Sequence, residues 1–122
     1  MTTTARQRSA LGAYGEELAA KHLIGQGMVL LDRNWRCDLG ELDLVLRDRR
    51  VLVVCEVKTR SSLAYGSPLE AVTEQKAARL RRLAGRWVAV HGLRPADVRI
   101  DLVGVLAPSS GVVQIEHVRG VD

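Results

Sequence analysis

Apolar positions recur along the chain with two periods, near 3.6 and near 2, and the switches between them outline seven elements. Leu11, Tyr14, Leu18 and His22 fall at helical spacing behind Ser9, which suits an N-cap, so a helix is predicted over 9–25. The Gly-Gln-Gly run that follows has C-cap chemistry. Residues 1–8 are polar and predict a flexible tail. A short strand is expected over 28–35, then two clearer ones over 41–47 and 51–59. Ser61 to Pro68 reads as a loop, with Pro68 suited to the first turn of a second helix over 69–90 and Gly92 beyond its end. Leu69, Val72, Leu80, Leu83, Trp87 and Val90 would form its buried stripe. Two last strands, over 97–107 and 111–118, predict a terminal hairpin. The order α-β-β-β-α-β-β implies one α/β domain over 9–122, a mixed five-stranded sheet flanked by helices.

The central hairpin does not follow the simple alternation. Glu41, Asp43, Val45 and Arg47 share one face of its first strand, and Leu42, Leu44 and Leu46 the other. On the second strand, Leu52, Val54, Glu56 and Lys58 share a face, opposite Val51, Val53, Cys55 and Val57. A turn at Arg49–Arg50 sets Asp43 opposite Glu56 and Glu41 opposite Lys58. A turn at Asp48–Arg49 sets Asp43 diagonal to Glu56. Both registers bring the four charges to one side of the sheet. Facing carboxylates repel unless a cation or a shared proton lies between them. Hard oxygen donors suit Mg²⁺, which takes one or two carboxylates plus water and substrate phosphate. Lys58 can position a water or stabilise a developing phosphorane. The same spacing also suits a solvated edge hairpin with a Glu41–Lys58 ion pair.

Composition narrows the classes. The length of 122 residues is enough for one core, and 47% hydrophobic with 26% charged residues is ordinary globular usage. Phe is absent and aromatics are 3%, which argues against a base-stacking nucleic-acid module. Lys and Arg exceed Asp and Glu by 18 to 14, and the pI is about 9.6, which is compatible with a polyanionic partner. Cys37 and Cys55 lack zinc spacing and read as reduced thiols. No secretory h-region and no run of about 18 apolar residues occurs, so a cytoplasmic protein with no membrane span is expected.

The acid on one strand followed by Glu-x-Lys on the next resembles the PD-(D/E)xK nuclease core, with Leu42 in place of the leading proline. The stretches GAYGEELAAKHL, NWRCDLGELDLV, VVCEVKTRSSLAYGSPLEAVTEQKAARL and VRIDLVGV together resemble the YraN family over about residues 12–117. That family comprises uncharacterised, predicted endonuclease-like proteins related to archaeal Holliday-junction resolvases. The resemblance implies a restriction-endonuclease-like fold and metal-dependent hydrolysis of DNA phosphodiester bonds, including branched DNA, with Mg²⁺ or Mn²⁺ as cofactor. It marks Asp43 and Glu56 as metal ligands, Lys58 as the catalytic lysine and Glu16 as the acid of the first-helix motif. A resolvase-like action would need a homodimer. The alternative is a nucleic-acid-binding or protein-interaction module that keeps the fold without turnover. The chain departs from the family at Val54 and Cys55, at Ile100 and at its C-terminal Glu-His-Val-Arg-Gly-Val-Asp.

Other positions take simpler readings. Glu17 has Lys21 four residues on, whereas Glu16 has no local partner, which favours Glu16 as the acid turned toward a site. Gln75, Arg79, Arg82 and Arg86 lie within a sector of roughly 60° on the second helix and are candidate phosphate contacts. A row of solvated arginines would look the same. Arg60 and Lys76 join them as candidate nucleic-acid contacts, Lys76 falling in the apolar stripe. Arg99 and Asp101 share a face and suggest a structural anchor, and His22 reads as a core histidine.

Overall fold

The computed structural model describes residues 5–62 and 73–121, with side chains from residue 10 onward. The elements are α1 (Ala5–Gly25), β1 (Val29–Cys37), β2 (Gly40–Asp48), β3 (Val51–Arg60), α2 (Glu74–His91), β4 (Asp97–Leu106) and β5 (Gln114–Val118). Their order is the expected one. The five strands lie in the sheet in chain order. β1–β2, β2–β3 and β4–β5 pair antiparallel, while β3–β4 pair parallel, with α2 as the crossover that a parallel pair requires.

Each helix covers one face. Val53, Cys55 and Val57 of β3 pack toward α1 with Ala19, Leu23, Leu44, Leu46 and Val103. Leu52 and Val54 pack toward α2 with Leu80, Leu83, Trp87 and Ile100. A strand covered on both faces needs apolar residues at every position, which explains the continuous Val-Leu-Val-Val-Cys run.

Several boundaries differ from the sequence reading. α1 starts at Ala5, so Ser9 lies inside the helix and only residues 1–4 precede it; Ala, Arg and Gln at 5–8 are good helix formers. α2 starts at Glu74, five residues after the predicted start. Thr73 is extended (φ −105°, ψ 163°), and its side chain accepts the Lys76 N–H, a local cap that sets the first turn at Glu74. Pro68, Leu69 and Val72 lie outside the described residues. Val90 and Tyr14 are 63% and 49% exposed, not buried. Trp87 closes that end of the α2 interface instead: its indole N–H donates to Asp32 at 2.9 Å and its ring stacks on His91.

A charged cluster is centred on the middle of β4. Asp101 is fully buried on β4. Arg99 donates to both its oxygens, Nε to Oδ1 at 2.8 Å and Nη2 to Oδ2 at 3.1 Å. His117 Nε2 lies 2.8 Å from Oδ2, and the Gly120 N–H donates to Oδ1. Arg99 also reaches Asp48 at 3.2 Å. Burial alone would raise the Asp101 pKa, but Arg99, His117 and Gly120 outweigh it and hold the carboxyl below its usual range. The cluster is the anchor that the Arg-x-Asp spacing suggested.

Candidate active site

The β2–β3 hairpin turns at Arg49 and Arg50, with Arg49 in the left-handed region (φ 58°), and pairs Asp48 with Val51. That is the register that puts Asp43 level with Glu56. The backbone pairing, however, runs only as far as Leu44 with Cys55. Two residues further along β3, the Val57 N–H donates to Asp43 Oδ2 at 2.9 Å. A side-chain carboxylate there accepts a main-chain donor of the strand. The alternation of β2 breaks at the same point: Leu42 packs in the α2-side core, whereas Leu44 and Leu46 pack in the α1-side core. The expected single apolar face of Leu42, Leu44 and Leu46 is therefore interrupted at Asp43.

Asp43 sits where the strands part. Burial is the main cause pushing its pKa up, to about 6. The Val57 N–H opposes this, and the negative charges of Glu16, Glu56 and Glu41 add to it. A carboxyl in this state ionises close to neutral pH, and a cation placed beside it would favour the charged form.

Glu56 and Lys58 point from β3 toward the α2 side, as the alternation required. The Glu56 side chain is 12% exposed. Its Oε1 receives two ammonium groups, Lys76 Nζ at 2.8 Å and Lys58 Nζ at 3.5 Å. Its Oε2 is buried and has no hydrogen-bond partner among the described residues. A buried oxygen left without a partner is costly, on the order of 1–3 kcal/mol or more for a charged group. The adjacent Lys76 ammonium, and then burial, lower the Lys58 pKa. For Lys76, burial acts against the charge, but Glu56 and Lys58 overcome it and raise the pKa. Glu41 turns away to Arg36 at 3.0 Å, so the Glu41–Lys58 pair is not formed.

Glu16 approaches from the other helix. Gly15 makes that approach possible: a Cβ there would stand 1.8 Å from Thr59 Oγ1, so only glycine lets α1 lie this close to β3. Glu16 is raised by burial and by Glu41, while a hydrogen bond from Asn34 and the charge of Arg33 lower it. Asn34 holds φ 52°, a conformation that asparagine tolerates better than most residues. Glu17, beside it, pairs with Arg33 at 2.9 Å and with Lys21 at 4.0 Å.

The basic row of α2 divides. Gln75, Lys76, Arg79 and Arg82, with Thr73, line one open cavity of about 410 Å³. Arg86 pairs instead with Asp38 at 2.7 Å. Arg60, partly buried, donates to the Thr59 carbonyl at 3.2 Å. The structure thus gathers Asp43, Glu56, Lys58 and Glu16 near the strand split and brings Lys76 into direct contact with Glu56. Sequence reasoning missed the Lys76–Glu56 contact, the Val57 N–H and Asn34. The signal available was a lysine inside an apolar stripe, which needs a buried counter-charge.

Among the described residues no group of three His, Cys, Asp or Glu side chains forms a metal cluster. The donor chemistry does fit a hard divalent cation held by few protein ligands: two neighbouring carboxylates, one with an orphaned buried oxygen.

A profile of the uncharacterised protein family UPF0102 matches residues 15–105, which include Glu16, Asp43, Glu56, Lys58 and Lys76. The chain belongs to the UPF0102 family. This is the family that the sequence resembles under the name YraN. A UPF0102 protein of Nocardioides sp. is 68% identical over 114 residues, covering 93% of this chain and 92% of the relative. One from Streptomyces coelicolor is 60% identical over 116 residues, covering 93% and 89%. One from Frankia alni is 57% identical over 115 residues, covering 94% and 96%. These UPF0102 relatives match this chain over nearly its whole length.

Proposed function

We propose that this UPF0102 chain is a metal-dependent nuclease-like protein with a PD-(D/E)xK core that hydrolyses DNA phosphodiester bonds, branched DNA included. The observation that carries the reading is Glu56, a nearly buried carboxylate beside Asp43 with two lysines on Oε1 and, among the described residues, no partner on Oε2. A structural ion pair would satisfy both oxygens, as at Asp101.

Asp43 and Glu56 would hold Mg²⁺ or Mn²⁺, which when bound polarises a phosphoryl oxygen and activates water. Glu16 completes the acidic pocket from α1. Lys58, with its pKa lowered, orients the attacking water and offsets negative charge developing on the phosphorus oxygens. Lys76 neutralises Glu56. Gln75, Arg79 and Arg82, which line the adjoining cavity, would take the flanking phosphates. Two active centres acting on a symmetric junction would come from a homodimer.

A second reading rests on Lys76. With two ammonium groups on one oxygen, Glu56 is already neutralised, which suits a nucleic-acid-binding or protein-interaction module without turnover. Cleavage assays on linear, flapped and four-way DNA, with Mg²⁺ or Mn²⁺, separate the two. The enzyme reading expects metal-dependent cutting that Asp43→Ala and Lys58→Ala each reduce by at least about 100-fold. Tight DNA binding without cutting under either metal would replace it with the binding reading.

A further inference from the structure

A second depression opens at the opposite end of β3. It measures about 460 Å³, and its apolar lining is Leu31, Val51, Leu52, Leu93 and Pro95. Arg47, Arg49, Arg50 and Arg94 complete its wall. Val51 lies five residues before Glu56 along one strand, roughly 17 Å away at the rise of an extended chain, so the two sites are separate.

Local structure sets the backbone positions of these arginines. Arg47 shares the α2 side of β2 with Val45 by alternation. Arg49 and Arg50 form the two-residue hairpin turn. Gly92 ends α2 in the left-handed conformation, and the Leu93 N–H donates back to Val88, which throws residues 93–96 across the turn. The Ala96 N–H then donates to the Arg50 carbonyl at 3.0 Å and ties the two segments together.

None of the four guanidiniums has an ion pair among the described residues. The nearest acids in sequence are engaged elsewhere: Asp48 by Arg99 and Arg119, and Asp97 by its neighbour's Val98 N–H. Four like charges around one depression repel one another and lack a counter-charge. The depression also leaves Leu31 and Leu93 37% and 44% exposed.

We propose that this depression docks an acidic peptide segment carrying one branched or aromatic apolar side chain. The guanidinium forks match carboxylates in pairs, and the aliphatic floor takes an apolar anchor of side-chain size. A nucleic-acid backbone would satisfy the arginines but has no aliphatic group for the floor, and among the described residues no aromatic side chain lines the depression on which a base could stack. A free inorganic anion would leave the floor empty.

The test is fluorescence anisotropy with a dye-labelled hexapeptide of four aspartates followed by glycine and leucine. The full chain should bind it in the micromolar range, and moderate salt should weaken binding. Arg47→Glu combined with Arg94→Glu, and separately Leu93→Asp, should each weaken it by about tenfold or more while thermal melts stay near those of the parent. No binding by the folded parent chain overturns the proposal. So does equal binding of a peptide whose last two residues are glycine, which would show that the floor is unused. Displacement of the peptide by a DNA duplex, with Leu93→Asp without effect, would make the surface a phosphate contact and also overturn it.

Discussion

Two clusters of buried charge lie on this sheet, and they differ in one respect. Around Asp101 every oxygen has a donor: Arg99 on both, His117 on one and the Gly120 N–H on the other. Around Glu56 one oxygen is crowded by two lysines and the other has no donor among the described residues. Arg99, His117 and Gly120 hold the Asp101 pKa below the ordinary carboxylate value, and burial and like charges raise that of Asp43. A network that only stabilises closes on itself. One that carries unsatisfied groups is stabilised from elsewhere in the fold, and such places concentrate at functional sites.

The largest test removes the closure at Asp101. Arg99→Met should cost about 3–5 kcal/mol in urea unfolding, because it strands a buried carboxylate. A loss under about 1 kcal/mol would erase the contrast. The next concerns the open end. Gly15→Ala places a methyl group on Thr59 Oγ1 and must shift α1 or the threonine. A cost of about 1–3 kcal/mol is expected, with Glu16 moved away from Asp43.

The third test has the opposite sign. Asp43 binds its proton more tightly folded (pKa about 6) than unfolded (ordinary value 3.8), so its contribution to stability falls as pH rises from about 4 through 6. Asp101 behaves in reverse: its contribution is present above 3.8 and is lost as the pH drops below that value. Asp43→Asn keeps an acceptor for the Val57 N–H and removes the charge. In chelator-treated protein it should raise stability by on the order of 1–3 kcal/mol at pH 8 and by almost nothing at pH 4. A variant that melts alike at both values would show that Asp43 carries no strain. The smallest effect belongs to the surface: Arg86→Ala breaks an exposed pair with Asp38 and should leave the urea unfolding midpoint next to that of the parent.

Much of the fold was legible because periodicity records burial. The residues from 51 to 59 read as a strand with one wholly apolar face, and the 3.6-residue spacing of Leu80, Leu83 and Trp87 as a helix on the sheet. The hairpin register was legible as one of two, because alternation ties Glu56 to Lys58 whatever the turn. The start of α2 was not, since it is set by the hydrogen bond through which Thr73 caps the helix. Nor was the exposure of Val90, which depends on how Trp87 fills the end of the interface.

The sequence by itself determined the order of elements, the sides on which Glu56 and Lys58 emerge and the pairing of Arg99 with Asp101, since each follows from spacing along one strand or one helix. Only the tertiary structure decided that β2 leaves β3 at Asp43, that Lys76 crosses from α2 to Glu56, and that four arginines from two separate segments meet around one apolar depression. These depend on distances between residues up to 47 positions apart in the chain, from Arg47 to Arg94, and no periodic pattern encodes where packing brings such residues together.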